Sequence, residues 1–226
     1  MKVGLISDVH ANLPALETVL DDMPAVDRIY CAGDVVGYNP WPAACVERVR
    51  DVATATVRGN HDRTVETPER YRGNRMAEAG LEHAKASLSD DQREWVDALP
   101  RAETFAGDRY LLVHSHPAAE REDAYVYPEE FPTLDRHMGE YDGIVLGHTH
   151  VQGVRGVAGG VVLNPGSVGQ PRDGDPRAGY AVLDTAADGT DAVETRRVPY
   201  DVDRVAAAVR DTDLPERTAD RLYDGE

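Results

Sequence analysis

The sequence predicts an α/β protein whose chemistry sits on the turns that follow its strands. Two observations carry this expectation. Short apolar runs alternate with segments of helical spacing from the first residues onward. Several of those runs end in histidine, aspartate or asparagine beside glycine, where open α/β sheets bind their ligands. The clearest case is Gly147-His148-Thr149-His150, directly after Ile144-Val145-Leu146. Side chains at i and i+2 of an extended segment share a face. Both imidazoles are therefore expected to point at one spot above the strand's end.

In chain order, residues 3–6 form a buried first strand that runs into Ser7-Asp8-Val9-His10. Asp8 and His10 again stand two apart, a carboxylate and an imidazole suited to one metal ion. Asp8 could instead cap the next helix, but Asn12 stands closer to its start at Leu13-Pro14. Residues 13–22 have helical spacing in Leu13, Leu16, Val19 and Leu20. A second strand over 27–31 ends in Gly33-Asp34, where a glycine permits close approach of a ligand. A helix is expected over 42–49 and a third strand over 54–57. Arg58-Gly59-Asn60-His61-Asp62 then offers an amide oxygen in Asn60, a proton carrier in His61 and a carboxylate in Asp62 able to orient it.

Residues 64–100 hold helical and irregular sequence, including a helix over 76–84 with His83 on its surface. Ser89-Asp90-Asp91-Gln92 is a capping-box signature ahead of another helix. Residues 102–105 and 109–113 predict a hairpin around Gly107-Asp108, ending in His114-Ser115-His116. His114 is a candidate ligand, whereas His116 is expected to make no direct metal bond. The acidic stretch 118–138 predicts a loop and then a helix from Pro128, with His137 as a favourable charge at its C-terminus. Strands follow over 151–155 and 160–163. The loop Asn164-Pro165-Gly166-Ser167 and Arg172 could bring backbone amides and a guanidinium to an anion. Strands over 180–184 and 192–198 are joined around Asp188-Gly189, a helix spans 200–210, and the charged tail 214–226 is expected to fray.

At 226 residues the chain can bury a substantial core, and without repeats or linkers one domain over 1–226 is expected. The net charge of −17 opposes binding to a nucleic-acid polymer. Lys2 and Lys85 are the only lysines. That composition suggests solubility in high salt, where acidic self-repulsion is screened. Cys31 and Cys45 form neither a disulfide framework nor a thiolate zinc site. The chain begins directly on a strand and has no run of membrane-spanning length, so a soluble cytoplasmic protein is expected.

Asp8, His10, Asp34, Asn60, His114, His148 and His150 make a mixed oxygen and imidazole donor set. It suits Mn²⁺, Fe²⁺, Zn²⁺ or Ni²⁺ and is too large for one tetrahedral ion. In family order, Asp8-x-His10, Gly33-Asp34-x-x-Gly37, Gly59-Asn60-His61-Asp62, His114 and Gly147-His148-x-His150 resemble the motifs of the calcineurin-like metallophosphoesterase superfamily. The short length and the Asn-Pro-Gly-Ser loop look most like its small YfcE-type phosphodiesterase branch. The resemblance implies a four-layer α-β-β-α sandwich of two mixed sheets. It implies two divalent ions, Mn²⁺ foremost, ~3.5–4 Å apart. Carried over, Asp8, His10 and His150 hold one ion, Asn60, His114 and His148 the other, and Asp34 bridges them. It further implies attack on phosphorus by a hydroxide shared between the ions, with His61 protonating the leaving oxygen and Asp62 orienting His61.

The sequence departs from the Ser/Thr protein phosphatase branch, since Val35-Val36-Gly37-Tyr38 lacks the arginine that follows the bridging aspartate there. It also lacks the long C-terminal region of the nuclease branch. The substrate expected is a small phosphate ester, with no membrane partner; a homo-oligomer is compatible with the sequence. A phosphomonoesterase or dinucleoside polyphosphate hydrolase would use the same ions. A scaffold of the same fold without chemistry would be expected to have lost ligands that this chain keeps.

Overall fold

Side-chain alternation in the first strand already divides the interior in two. In β1 (Lys2–Ile6), Val3 and Leu5 enter one apolar core and Ile6 another, as the two-residue period of a strand requires. The computed structural model describes residues 1–186 and 191–226, so the turn expected at Asp188-Gly189 lies outside the described residues.

After β1 come α1 (Leu13–Asp22), β2 (Arg28–Cys31), α2 (Pro42–Val52), β3 (Ala55–Thr56), the short α3 (Asn60–Thr64), α4 (Arg75–Ser87) and α5 (Asp90–Asp97). The hairpin β4 (Ala102–Phe105) and β5 (Tyr110–Val113) follows, then β6 (Gly143–Val145), β7 (Gly153–Val157) and β8 (Gly160–Asn164). The chain closes with β9 (Ala178–Asp184), β10 (Ala192–Val198), α6 (Val202–Arg210) and α7 (Glu216–Asp224). One five-stranded sheet has the order β10-β9-β1-β2-β3 and the other β4-β5-β6-β8-β7. Both are mixed: β1, β2 and β3 run parallel, as do β5, β6 and β8, and antiparallel strands flank each set.

The sheets face one another. Val3, Leu5, Tyr30 and Val57 of the first meet Phe105, Tyr110, Leu112, Val145 and Leu163 of the second in a single core. On the outer side of the first sheet, Ile6 and Cys31 pack with Leu16, Val19, Val46, Val49, Leu81 and Val96 from the helices. On the outer side of the second, Val113, Ile144 and Val162 pack on Phe131, Leu134 and Met138. These layers are the α/β architecture the sequence implied. Among the described residues no helix is long and apolar enough to cross a membrane.

Local signals explain the helix starts. Asn12 Oδ1 accepts the Ala15 amide at 3.2 Å, which leaves Asp8 free of capping. Ser89 and Gln92 form the reciprocal capping box ahead of α5. Two expectations change. Residues Pro128–His137 form a 3₁₀ helix rather than an α-helix. Pro132 sits inside it and has no N–H for the α ladder. The C-terminal tail is ordered as α7, because Thr218, Ala219 and Leu222 bury one face, with Ala219 and Leu222 packing against Val205 and Val209 of α6 and Ala79 of α4. His83 is half-buried, its Nε2 3.2 Å from the Pro40 carbonyl.

Gly80 of α4 lies against the backbone of Tyr38: a Cβ there would come within 2.1 Å of the Tyr38 nitrogen. Gly80→Ala normally gains ~1 kcal/mol of helix propensity. Here the clash outweighs it, and a net loss of ~1–3 kcal/mol is expected in urea unfolding. A variant more stable than the parent would refute this close approach.

Candidate metal centre

Strand ends bring the seven candidate ligands together, but not on extended backbone. Asp8 (φ 52°), His10 (φ 45°), Asp34 (φ 54°), His148 (φ 68°) and His150 (φ 61°) all lie in the left-handed region. Such backbone is costly for residues with a Cβ and is found clustered at functional sites. The same-face expectation for the two histidines after β6 is thereby corrected. His148 and His150 lie on tight turns and join different donor groups. The turns are held by one another: the Asp8 amide donates to the Gly33 carbonyl, His10 to Asp34 and Gly147 to His114, each at 2.9 Å. Gly147 is required by contact, because a Cβ there would sit 2.0 Å from Ser7 Oγ.

Asp8, His10 and His150 form one group, with Asp8 Oδ1 3.3 Å from His150 Nε2 and 3.9 Å from His10 Nε2. Asp34, His114 and His148 form another, with Asp34 Oδ2 3.3 Å from His114 Nε2. Asp34 Oδ2 is also 3.7 Å from His10 Nε2, so this carboxylate faces both groups. Asn60 Oδ1 lies 3.1 Å from His114 Nε2. All seven are buried.

The tautomers follow from the hydrogen bonds. His10 Nδ1 lies 3.0 Å from the Val36 carbonyl, and His150 Nδ1 lies 2.5 Å from that of Gln170. A carbonyl only accepts, so each neutral ring carries its proton on Nδ1 and presents a lone pair at Nε2. Those two Nε2 atoms are 3.0 Å apart. Moving one proton to Nε2 would only set a lone pair against a carbonyl instead. An added proton is disfavoured, because burial pushes both pKa values well down. A cation at the two Nε2 atoms resolves the conflict. His114 Nδ1 is likewise committed to the Ala32 carbonyl at 2.7 Å, leaving Nε2 toward Asp34 and Asn60.

Charge is unevenly held without a cation. Burial raises Asp8 to about 7. Burial opposes ionisation of Asp34, but His114, His61 and His10 overcome it and hold its pKa well down. For His114 the penalty of burial is outweighed by Asp34, and its pKa rises to about 10. Burial lowers both His61 and His148 to about 4. A divalent ion would displace the His114 proton and supply charge to match Asp8 and Asp34. The donor set therefore fits divalent metal binding.

The role expected for Asp62 is corrected. Its carboxylate accepts the amides of Asp34 at 2.7 Å, Val35 at 2.9 Å, Val36 at 3.3 Å and Gly59 at 3.0 Å. Both oxygens are spent on backbone, and His61 Nδ1 is buried with no hydrogen-bond partner. Asp62 thus shapes the Asp34 turn, because four converging N–H groups outcompete one imidazole. His61 stands beside the centre, with a ring donor near those of His10 and Asp34.

Amides of the loop that runs from Asn164 to Arg172 are also spent internally. Val168 and Gly169 donate to the carbonyls of Ser7 and Asp8, both at 3.0 Å, and Ser167 Oγ donates to the Asp8 carbonyl at 2.8 Å. The loop braces the ligands rather than offering amides to an anion. His116 stands apart from the three donor groups, its Nδ1 accepting the Ala118 amide at 3.1 Å and its ring edge-on to His137.

A cavity of about 240 Å³ opens over the centre, lined by Asp34, Asn60, His61, His148, His150 and Arg172. Tyr38, Tyr71, Asn74, Asp123 and Tyr125 complete its wall. Sequence reasoning gave none of these five a specific role. No motif assigns them to the site.

The chain belongs to the calcineurin-like phosphoesterase superfamily, whose domain model matches residues 1–188. Among its relatives is an uncharacterized protein of Methanocaldococcus jannaschii, 31% identical over 99% of this chain and 98% of that protein. The phosphodiesterase YfcE of Escherichia coli K12 is 29% identical over 81% of this chain and 88% of its own. The crystal structure of a metallophosphoesterase from Sphaerobacter thermophilus aligns with a TM-score of 0.82 at 34% identity, covering 100% of this chain and 99% of that one.

Asp62→Asn is expected to weaken divalent-cation binding by about 10–100-fold, the usual effect of removing support behind a ligand. His61→Ala should leave that affinity near the parent value. Calorimetric titration with Mn²⁺ measures both, and the reverse order of effects would overturn the assignment.

Proposed function

We propose that this protein is a binuclear metal-dependent phosphodiesterase acting on a small phosphate ester. The observation that carries the proposal is Asp34, whose Oδ2 lies 3.7 Å from His10 and 3.3 Å from His114, in reach of both donor groups. Asp8, His10 and His150 would hold one ion, Asn60, His114 and His148 the other, with Asp34 shared. The oxygen and imidazole donors favour Mn²⁺, with Fe²⁺, Zn²⁺ and Ni²⁺ as alternatives. Two such ions supply charge neutralisation to the phosphoryl oxygens and activate water for attack.

The chain's own residues do the rest. His61 lines the cavity and its Nδ1 has no protein partner. Burial makes it neutral in the free chain, and a bound phosphate anion raises its proton affinity. His61 then delivers that proton to the leaving oxygen. The volume of about 240 Å³ admits a small ester, and the net charge of −17 repels a nucleic-acid polymer.

Mn²⁺-loaded protein should hydrolyse bis(p-nitrophenyl) phosphate faster than p-nitrophenyl phosphate, and chelation should abolish turnover. In His61→Ala, kcat should fall by about 10²–10⁴-fold with metal content unchanged. Hydrolysis of neither ester by metal-replete protein would sink the proposal, and normal turnover in the variant would remove His61 from its role.

A further inference from the structure

Among the described residues, Arg172 is the only lysine or arginine lining the cavity. Its Nη2 donates to Tyr38 Oη at 3.1 Å and to Gln170 Oε1 at 2.7 Å. The guanidinium also lies over the Tyr38 ring, 5.6 Å from its centroid. Neither hydrogen-bond partner is a carboxylate, although the chain holds 41 acidic residues against 24 basic ones. Among the described residues Nε is buried and unpartnered, and Nη1 has no protein partner either. Three of the five N–H donors of a guanidinium are thus unspent beside the donors of His150 and His61.

A fixed, partly desolvated guanidinium without a counter-charge is costly to keep. Tyr38 and Gln170 hold the fork by one end and leave the other toward the cavity. Tyr38 itself is buried and has a left-handed backbone (φ 60°). Behind this pair lies a second guanidinium, Arg221 of α7, outside the residues matched by the family domain. Burial and then the Arg172 charge push its pKa down, so the two cations are neighbours.

We propose that Arg172 is a substrate-binding residue that donates through Nη1 to an anionic oxygen of the ester, with Tyr38 and Gln170 as its positioning residues. This rests on the phosphoesterase reading above and assigns the metal-free wall of the site. The oxygen belongs either to the scissile phosphoryl group or to a second anionic group on one substituent.

The test titrates Mn²⁺-loaded parent, Arg172→Lys and Arg172→Met with inorganic phosphate by calorimetry. Arg172→Met should bind phosphate about tenfold or more weakly at unchanged Mn²⁺ stoichiometry, and Arg172→Lys should recover part of the loss. Kinetics on methyl p-nitrophenyl phosphate and on its carboxymethyl counterpart separate the two sources. A KM increase with little change in kcat on both esters places Arg172 on the phosphoryl group. An increase on the carboxymethyl ester alone places it on the substituent. Phosphate binding and KM unchanged in Arg172→Met overturn the proposal, even if both esters are hydrolysed. Arg172-dependent phosphate binding in a protein that hydrolyses no ester would instead overturn the hydrolase reading alone.

Discussion

Two imidazole nitrogens 3.0 Å apart, each committed on its other side to a backbone carbonyl, set the condition that the rest of the site satisfies. Neutral rings so placed oppose lone pair to lone pair, and burial denies them an extra proton. Only a cation satisfies both at once. Asp8 and Asp34 supply the negative charge that such a cation requires: Asp8 lies within 4 Å of both nitrogens and Asp34 within 4 Å of that of His10. The centre is therefore prepared for metal by the geometry of the protein alone.

Holding that geometry takes backbone that ordinary residues avoid. Five ligands sit at positive φ, each on a turn just beyond a strand. Such conformations persist only where the surroundings over-determine them. Here the surroundings are the inter-sheet core beneath, the carbonyl-to-amide bonds between turns, and the Asp62 carboxylate that gathers four amides of the Asp34 and Gly59 turns. Asp62 is thus as much a part of the centre as a ligand, though it faces away from it. The Asn164–Ser167 loop acts in the same way from the second sheet.

The charge distribution has two scales. At long range a net charge of −17 opposes the approach of a polyanion. Within the cavity the balance reverses, because bound cations would outweigh the carboxylates and Arg172 adds a guanidinium with no acidic partner.

The apolar runs at β1, β5, β6 and β8, helix spacing in α1 and the box at Ser89-Gln92 are local, so the sequence alone determined where most elements lie, whereas the layers were implied by the resemblance of the ligand motifs to a known family. The ligand set was legible for the same reason: each donor follows a strand by a few residues, and the donor types narrow the chemistry. Left-handed turns were not legible, because Asp and His adopt them only when neighbouring turns compel it. Three of the four amides that Asp62 accepts lie 26–28 residues away and the fourth 3 away, and nothing local distinguishes an amide from an imidazole partner. The cavity wall at Tyr71, Asn74, Asp123 and Tyr125 and the packing of α7 on α6 and α4 were likewise decided by tertiary structure. Strands and helices answer to neighbours along the chain, whereas a site answers to neighbours in space.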